Sequence, residues 1–307
     1  MQQDRIFNSM LRDRPGAVIV VTMLAMVFGM GLGAGLGNAV TQMLGVDVTD
    51  IMSWTEAHPL DYNERQGIRW FNLVAHFFSF TFVALVIAYL AKDEHGAPRF
   101  LQFQRRLQGS DFMLGLFLLF CSLPLIFASN WLNSVLPLPE SLVTMENNQN
   151  WLVGEVLRME SVGEFIMALT VAAIAPAVGE ELLFRGVLQP RIQKVTQDIH
   201  LGIWITAALF SAIHLQFVGF LPRMFLGALL GYTLVWSGSL WLPIILHFVF
   251  NAMQIFGAYL SPDSFSVASS PEAIQAPPWW LVVISTGLVV YIVRMWIARK
   301  SDSVPEA

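Results

Sequence analysis

The sequence predicts an all-α protein of the polytopic membrane class, a bundle of about eight transmembrane helices built as a single integral-membrane domain over residues 1–307. Three observations predict it. Hydrophobic residues make up 55% of the chain and charged residues only 13%, against roughly 25% charge in an average soluble domain. The mean hydropathy is +0.60. The apolar residues also gather into stretches of about 20, the length that crosses a ~30 Å hydrocarbon core at ~1.5 Å per residue. With so little polar surface, the chain needs lipid as the solvent for much of its exterior.

The stretches are Gly16–Leu36, Trp70–Ala91, Phe112–Leu132, Val162–Leu188, Leu201–Gln216, Phe217–Trp236, Leu240–Leu260 and Trp279–Ala298. The fifth is short and its connection to the sixth is very tight. The first is too long for a signal-peptide core and lacks a clear cleavage site, so it is expected as a retained helix. Tryptophans near the expected boundaries (Trp70, Trp131, Trp236, Trp241, Trp279 and Trp280) fit an aromatic belt. Pro98–Leu107 mixes aromatic and basic residues like a cytoplasmic interfacial helix, and Trp151–Met159 suggests a second one on the outer face. The tails Met1–Pro15 and Ser301–Ala307 are polar and expected to be loose. No repeat or linker divides the chain.

Charge placement tests this count. With the N-terminus in the cytoplasm, the inner segments hold Arg5, Arg12 and Arg14, then Lys92, Arg99, Arg105 and Arg106. They continue with Arg185, Arg191 and Lys194, then Arg294, Arg299 and Lys300. Only Arg65, Arg69, Arg158 and Arg223 fall elsewhere. The opposite loops are acidic, with Asp47, Asp50, Glu56, Asp61 and Glu64 in one and Glu140, Glu146, Glu155 and Glu160 in the next. The positive-inside rule then puts both termini in the cytoplasm, of a bacterial inner membrane by the general look of the chain. The net charge of −5 argues against a nucleic-acid partner, which needs clustered cations. The lone Cys121 excludes a disulfide framework and a thiolate metal cluster.

Glycines crowd the first span. Gly29, Gly31 and Gly33 loosely fit a dinucleotide pattern, but no strand precedes them and the run lies inside an apolar span. Gly29, Gly33 and Gly37 are four apart, which suits close helix contact in lipid, and Gly227 and Gly231 repeat the spacing.

Chemistry is carried by the polar residues inside apolar segments, because ionisable groups there are costly and tend to mark a site. Glu180 and Glu181 are adjacent, so on a helix they point about 100° apart. Glu181 and Arg185 stand at i and i+4 in the favourable order, so Arg185 is expected to hold Glu181 ionised. Glu180 is expected to lack such a partner and to sit in low dielectric, the setting that tunes a carboxylate for general-base work. His214 follows Phe210 by one turn, and His247 precedes Asn251 by one turn. Taken singly, each fits a buried hydrogen bond. Together they are a carboxylate, two imidazoles and an amide on three helices, a set that can activate water and steady an oxyanion. No serine or cysteine stands beside a base, which argues against an acyl-enzyme route. Glu180, His214 and His247 can equally hold zinc with an open position, and spacing does not choose between these. The His-Glu-x-x-His helix motif is absent. Asn72 and His76 form a further pair, read as an interhelical hydrogen-bond pair, with the lining of a substrate path or the binding of a lipid headgroup as alternatives. Arg223 reads as a snorkelling cation or a binder of a substrate carboxylate.

The motifs Glu180-Glu181-x-x-x-Arg185, Phe210-x-x-x-His214 and His247-x-x-x-Asn251 resemble the signature of the CPBP family. These are the CAAX-protease and bacteriocin-processing intramembrane endopeptidases, also called the ABI family. The resemblance covers roughly Val162–Leu260, a peptidase core within the single domain. It implies a glutamate-dependent endopeptidase acting on a membrane-associated or lipid-modified, CAAX-like protein. In it Glu180 and His214 activate water and His247 and Asn251 stabilise the oxyanion, with Glu181, Arg185 and Phe210 in support. No cofactor is expected, with zinc as the alternative. The rival readings are a transporter, favoured by a continuous polar path across the bilayer, and a non-catalytic scaffold or immunity protein. Helix arithmetic sets the motif groups at somewhat different depths, meeting in the cytoplasmic half. Catalysis requires them within about 10 Å of one another.

Overall fold

The computed structural model describes residues 13–53, 59–92, 96–103, 105–262 and 274–301. Arg5, Arg12, Glu56 and most of both expected loose tails lie outside the described residues. Among the described residues all regular structure is helical. Helix α1 (Pro15–Met43) opens on a proline, whose missing N–H costs nothing there. The short α2 (Val48–Ser53) leads to α3 (Tyr62–Ala91). Helix α3 starts well before the apolar run at Trp70 because Asp61 and Glu64 form a reciprocal cap on its first turn. The chain continues through α4 (Ala97–Phe100), α5 (Gly109–Ser134) and α6 (Glu140–Leu157). Then come α7 (Val162–Thr196), capped by Ser161, and α8 (Ile199–Ala212), capped by Asp198. Helices α9 (Phe220–Ser237), α10 (Trp241–Leu260) and α11 (Trp279–Ser301) complete the bundle.

Seven of the described helices, α1, α3, α5, α7, α9, α10 and α11, are long and apolar enough to cross a membrane. The chain is thus a polytopic all-α integral membrane protein. The fifth apolar element, α8, is shorter than the expected Leu201–Gln216. Its 14 residues rise ~21 Å, less than a ~30 Å core. Residues 213–219 carry the chain onward in turns and irregular backbone, and side chains satisfy part of the freed backbone. Asn133, at the end of α5, donates to the Phe217 carbonyl at 2.8 Å and accepts from Leu221 N–H at 2.7 Å. Glu146 of α6 accepts from Val218 N–H at 2.8 Å. Irregular backbone at membrane depth needs such partners.

The expected interfacial segments take other forms. Pro98–Leu107 is helical only within α4, after which Gln102 turns at φ 61°. Trp151–Met159 belongs mostly to the longer α6, which also takes in the polar run before it.

Two devices fix the first half of the chain, the first within it and the second tying it to the other half. In the first, α1 lies against α3 through the glycine face. A Cβ on Gly29 would stand 2.5 Å from the Phe78 carbonyl oxygen, and one on Gly33 2.8 Å from that of Ala75. Gly31 and Gly35, on the other face, meet nothing within 4 Å. In the second, Glu164 of α7 receives Arg65 Nε at 3.0 Å and Arg69 Nη1 at 2.9 Å, all three buried. Arg69 also donates to the carbonyls of Val156 and Arg158, which binds α6 into the same cluster. Arg65, Arg69 and Arg158, the cations that fell outside the basic segments, are therefore largely the counter-ions of Glu164 and its neighbours Glu155 and Glu160.

The α1–α3 contact is tested by Gly33→Leu. It should destabilise by about 1–3 kcal/mol, the usual cost of overpacking, whereas Gly31→Leu should leave the unfolding midpoint in detergent unchanged.

Candidate active site

All the motif residues converge. Helix α7 is irregular on both sides of Glu180, with wide π-type turns at Thr170–Ile174 and Leu182–Leu188 around the regular segment Ala175–Glu181. A third such turn, Phe77–Phe82, interrupts α3 directly after His76. Wide turns of this kind are frequent at functional sites. Gly179 lets the two helices close. A Cβ there would lie 2.7 Å from Thr81 Oγ1 and 2.9 Å from His76 Cε1.

Glu181 and Arg185 are paired as expected, with Arg185 Nη1 donating to Glu181 Oε1 at 2.9 Å and both side chains fully buried. The charge placement counted Arg185 among the inner-segment cations, but it is enclosed in the bundle. Its Nη2 donates to the Gly227 carbonyl of α9 at 3.0 Å, and its guanidinium lies 4.7 Å from the centre of the Phe210 ring. Glu181 Oε1 has a second partner, His247 Nδ1, at 2.9 Å. An ionised carboxylate only accepts, so His247 carries a proton on Nδ1 and turns Nε2 towards Glu180 Oε2, 3.9 Å away.

His214 lies just beyond the end of α8, where Leu215 adopts a left-handed conformation at φ 53°. Its Nδ1 bonds the Phe210 carbonyl at 2.8 Å, so this nitrogen is the protonated one. Nε2 is left facing Glu180 Oε1 at 4.0 Å. Phe210 packs its ring edge-on against both His214 and His247. Asn251 and both histidines line the same cavity, of about 580 Å³, with Glu180 at its inner end. The separations are far inside the ~10 Å limit for proton transfer through hydrogen bonds or one water.

Glu180 is not without a partner. His76 of α3 donates Nε2–H to Glu180 Oε1 at 3.2 Å and stacks on Phe80. The pair read on α3 therefore divides. Asn72 bonds back to Ile68 of its own helix, and His76 reaches across to the carboxylate. A polar residue in an otherwise apolar span was the only sequence signal for this contact. Arg223 lines the cavity too and bonds Gln216 rather than extending away to an interface.

Among the described residues, no group of three or more His, Cys, Asp or Glu side chains is arranged to hold a metal ion. The two histidine Nε2 atoms lie 4.0 and 3.9 Å from the Glu180 oxygens. Two ligands of a tetrahedral zinc, each ~2.0–2.1 Å from the metal, stand roughly 3.3 Å apart.

Fold and site together define a class: a membrane helix bundle with a carboxylate–imidazole centre enclosed among its helices. Comparison with known proteins narrows it. Residues 162–253 match the family model described as "Type II CAAX prenyl endopeptidase Rce1-like". This bears out the CPBP resemblance over the segment that carries the three motifs, and with it the peptidase class of that segment. The protein YpbD of Bacillus subtilis (strain 168) is 33% identical over 81 residues, a stretch covering 25% of this chain and 38% of YpbD. No solved structure matches.

The Glu181 junction is tested by Glu181→Gln, which leaves the buried Arg185 without its counter-ion. The variant should lose about 3–5 kcal/mol of stability, the usual cost of breaking a buried ion pair. Asn251→Ala, at the cavity wall, should unfold at the wild-type midpoint.

Proposed function

We propose that the chain is an intramembrane endopeptidase that hydrolyses a peptide bond of a membrane-associated or lipid-modified protein, with Glu180 as general base. One observation carries this reading: a single carboxylate lies within 3.2–4.0 Å of three imidazole nitrogens at the inner end of a cavity.

A water lodged between Glu180 Oε1 and His214 Nε2 donates to both acceptors and presents its oxygen to the scissile carbonyl. As the C–O bond forms, the water proton passes to Glu180. The developing oxyanion receives hydrogen bonds from Asn251 Nδ2 and, in its doubly protonated form, from His247 Nε2. Glu181 balances that second charge from the Nδ1 side. The tetrahedral intermediate collapses when Glu180 returns the proton to the leaving amine, so the base finishes the cycle as it began. His76 fixes the rotamer of Glu180, and Arg185 holds Glu181. The scheme draws on no serine, thiol or cofactor. If zinc takes part, Glu180, His214 and His247 are the side chains that would hold it, and the metal would supply a water acidified by coordination. The transport reading asks for a polar path across the bilayer, and the cavity ends at Glu180. A bacterial inner membrane with both termini in the cytoplasm agrees with the basic segments that flank the helices.

Glu180→Gln keeps the size and the hydrogen bond to His76 but removes the base. Comparing membrane peptides from cells carrying wild-type protein and this variant should show loss of processing by about 10²–10⁴-fold, with unchanged expression and gel-filtration profile. Processing at the wild-type level would reject the mechanism. Asn251→Ala should lower kcat by about 10²–10³-fold, as loss of an oxyanion donor does. Full activity after exhaustive chelation, with no metal in the purified protein, is the result expected for the metal-free scheme.

A further inference from the structure

We propose that the site is loaded from the membrane face opposite the two termini, so that the bond cleaved belongs to a peptide segment exposed on the non-cytoplasmic side. The choice of substrate rests on the peptidase reading above; the route to the site rests on geometry alone.

The cavity extends from Glu180 in one direction only. On the two helices that run away from that far face, its lining residues precede the site: Asn72 before His76 on α3, and Pro176 before Glu180 on α7. On α10, which runs the other way, they follow it: Asn251 and Gln254 after His247. The outer wall is α6, contributed through Val153 and Val156, from the connection between α5 and α7. Gln216, in the loop joining α8 to α9, closes one side. All of these point to the end of the bundle where α3 and α7 begin.

Towards the other end the site is shut. Leu183, Phe184, Arg185, Val187 and Leu188 have no exposed surface. Leu183, Phe184, Val187 and Leu188 pack in one core with Ile87 and Ala88 of α3 and with Leu240 and Ile244 at the start of α10. Beyond this floor lies a separate cavity, lined in part by Arg99, Arg191 and Lys194. On helix α7 it lies roughly 16 Å further along than Glu180.

Charge says which end is which. Lys92, Arg99, Arg105, Arg106 and Lys194 all stand exposed at the closed end, with the described termini. At the open end the exposed side chains include Asp47, Asp50, Asp61, Glu140 and Glu160. Basic segments stay in the cytoplasm. The closed end therefore faces the cytoplasm, and the mouth faces out. The reacting groups are then reached from outside, because the carboxylate sits above the seal rather than below it.

The test uses the full chain in a Cys121→Ser background, with single cysteines at Gln254 or Val153 in the cavity and at Arg99 on the closed end. A membrane-impermeant maleimide is applied to spheroplasts and to inside-out vesicles, with the denatured protein labelled as a reference. Gln254→Cys and Val153→Cys should label from outside in spheroplasts, and Arg99→Cys only in inside-out vesicles. Labelling of either cavity cysteine only in inside-out vesicles overturns the proposal. So does failure of both to label from outside while the denatured protein reacts. The readout does not depend on turnover. Outside labelling in a protein that cleaves nothing would reject the peptidase reading alone, and inside labelling with intact proteolysis would reject the route alone.

Discussion

The carboxylate of Glu181 is the constraint on which the site depends. One oxygen accepts from Arg185 on its own helix and from His247 on α10. Arg185 in turn reaches the Gly227 carbonyl on α9 and lies over Phe210 of α8. Four helices are thereby tied to one buried ion pair. Such a pair contributes little net stability over a well-packed apolar substitute, because desolvation offsets the attraction. What it supplies is direction. It fixes which nitrogen of His247 faces the cavity, and a bundle held by apolar contact alone has no means of specifying that.

The helices are bent to this purpose. Wide turns flank Glu180 on both sides and follow His76, and α8 ends early so that His214 projects from a turn. Each irregularity frees backbone groups that lipid cannot satisfy. Near His214 they are met by Asn133, by Glu146 and by the imidazole of His214 itself, bonded to the Phe210 carbonyl. A regular eight-helix bundle would spare these partners, but His214 Nε2 would then not face Glu180.

The helical membrane architecture was legible because a bilayer leaves few choices. Runs of about 20 apolar residues specify their own conformation and length. The motif residues were legible for the same reason, since polar groups in such runs stand out. Two things were not. A helix end set by a cap, as at Asp61, extends a span past the apolar run. Contacts between distant segments, such as His76 with Glu180, leave no mark at any fixed spacing. The division of labour between the two glutamates was half visible. The Glu181–Arg185 pair follows from its i, i+4 spacing, but the second partner of Glu181 and every partner of Glu180 come from other segments.

The closed floor beneath Glu180 has an electrical consequence. A cavity filled with water carries the potential of its own side inward, so the membrane voltage falls mainly across the packed layer of Leu182–Leu188 and its neighbours. Moving a charge through the full field costs about 2.3 kcal/mol per 100 mV. Protons exchanged between Glu180 and the adjoining solution traverse little of that field. On the proposed mechanism, hydrolysis then runs at the same rate in an energised and a depolarised membrane, and the packed floor keeps the cavity from becoming a leak for ions.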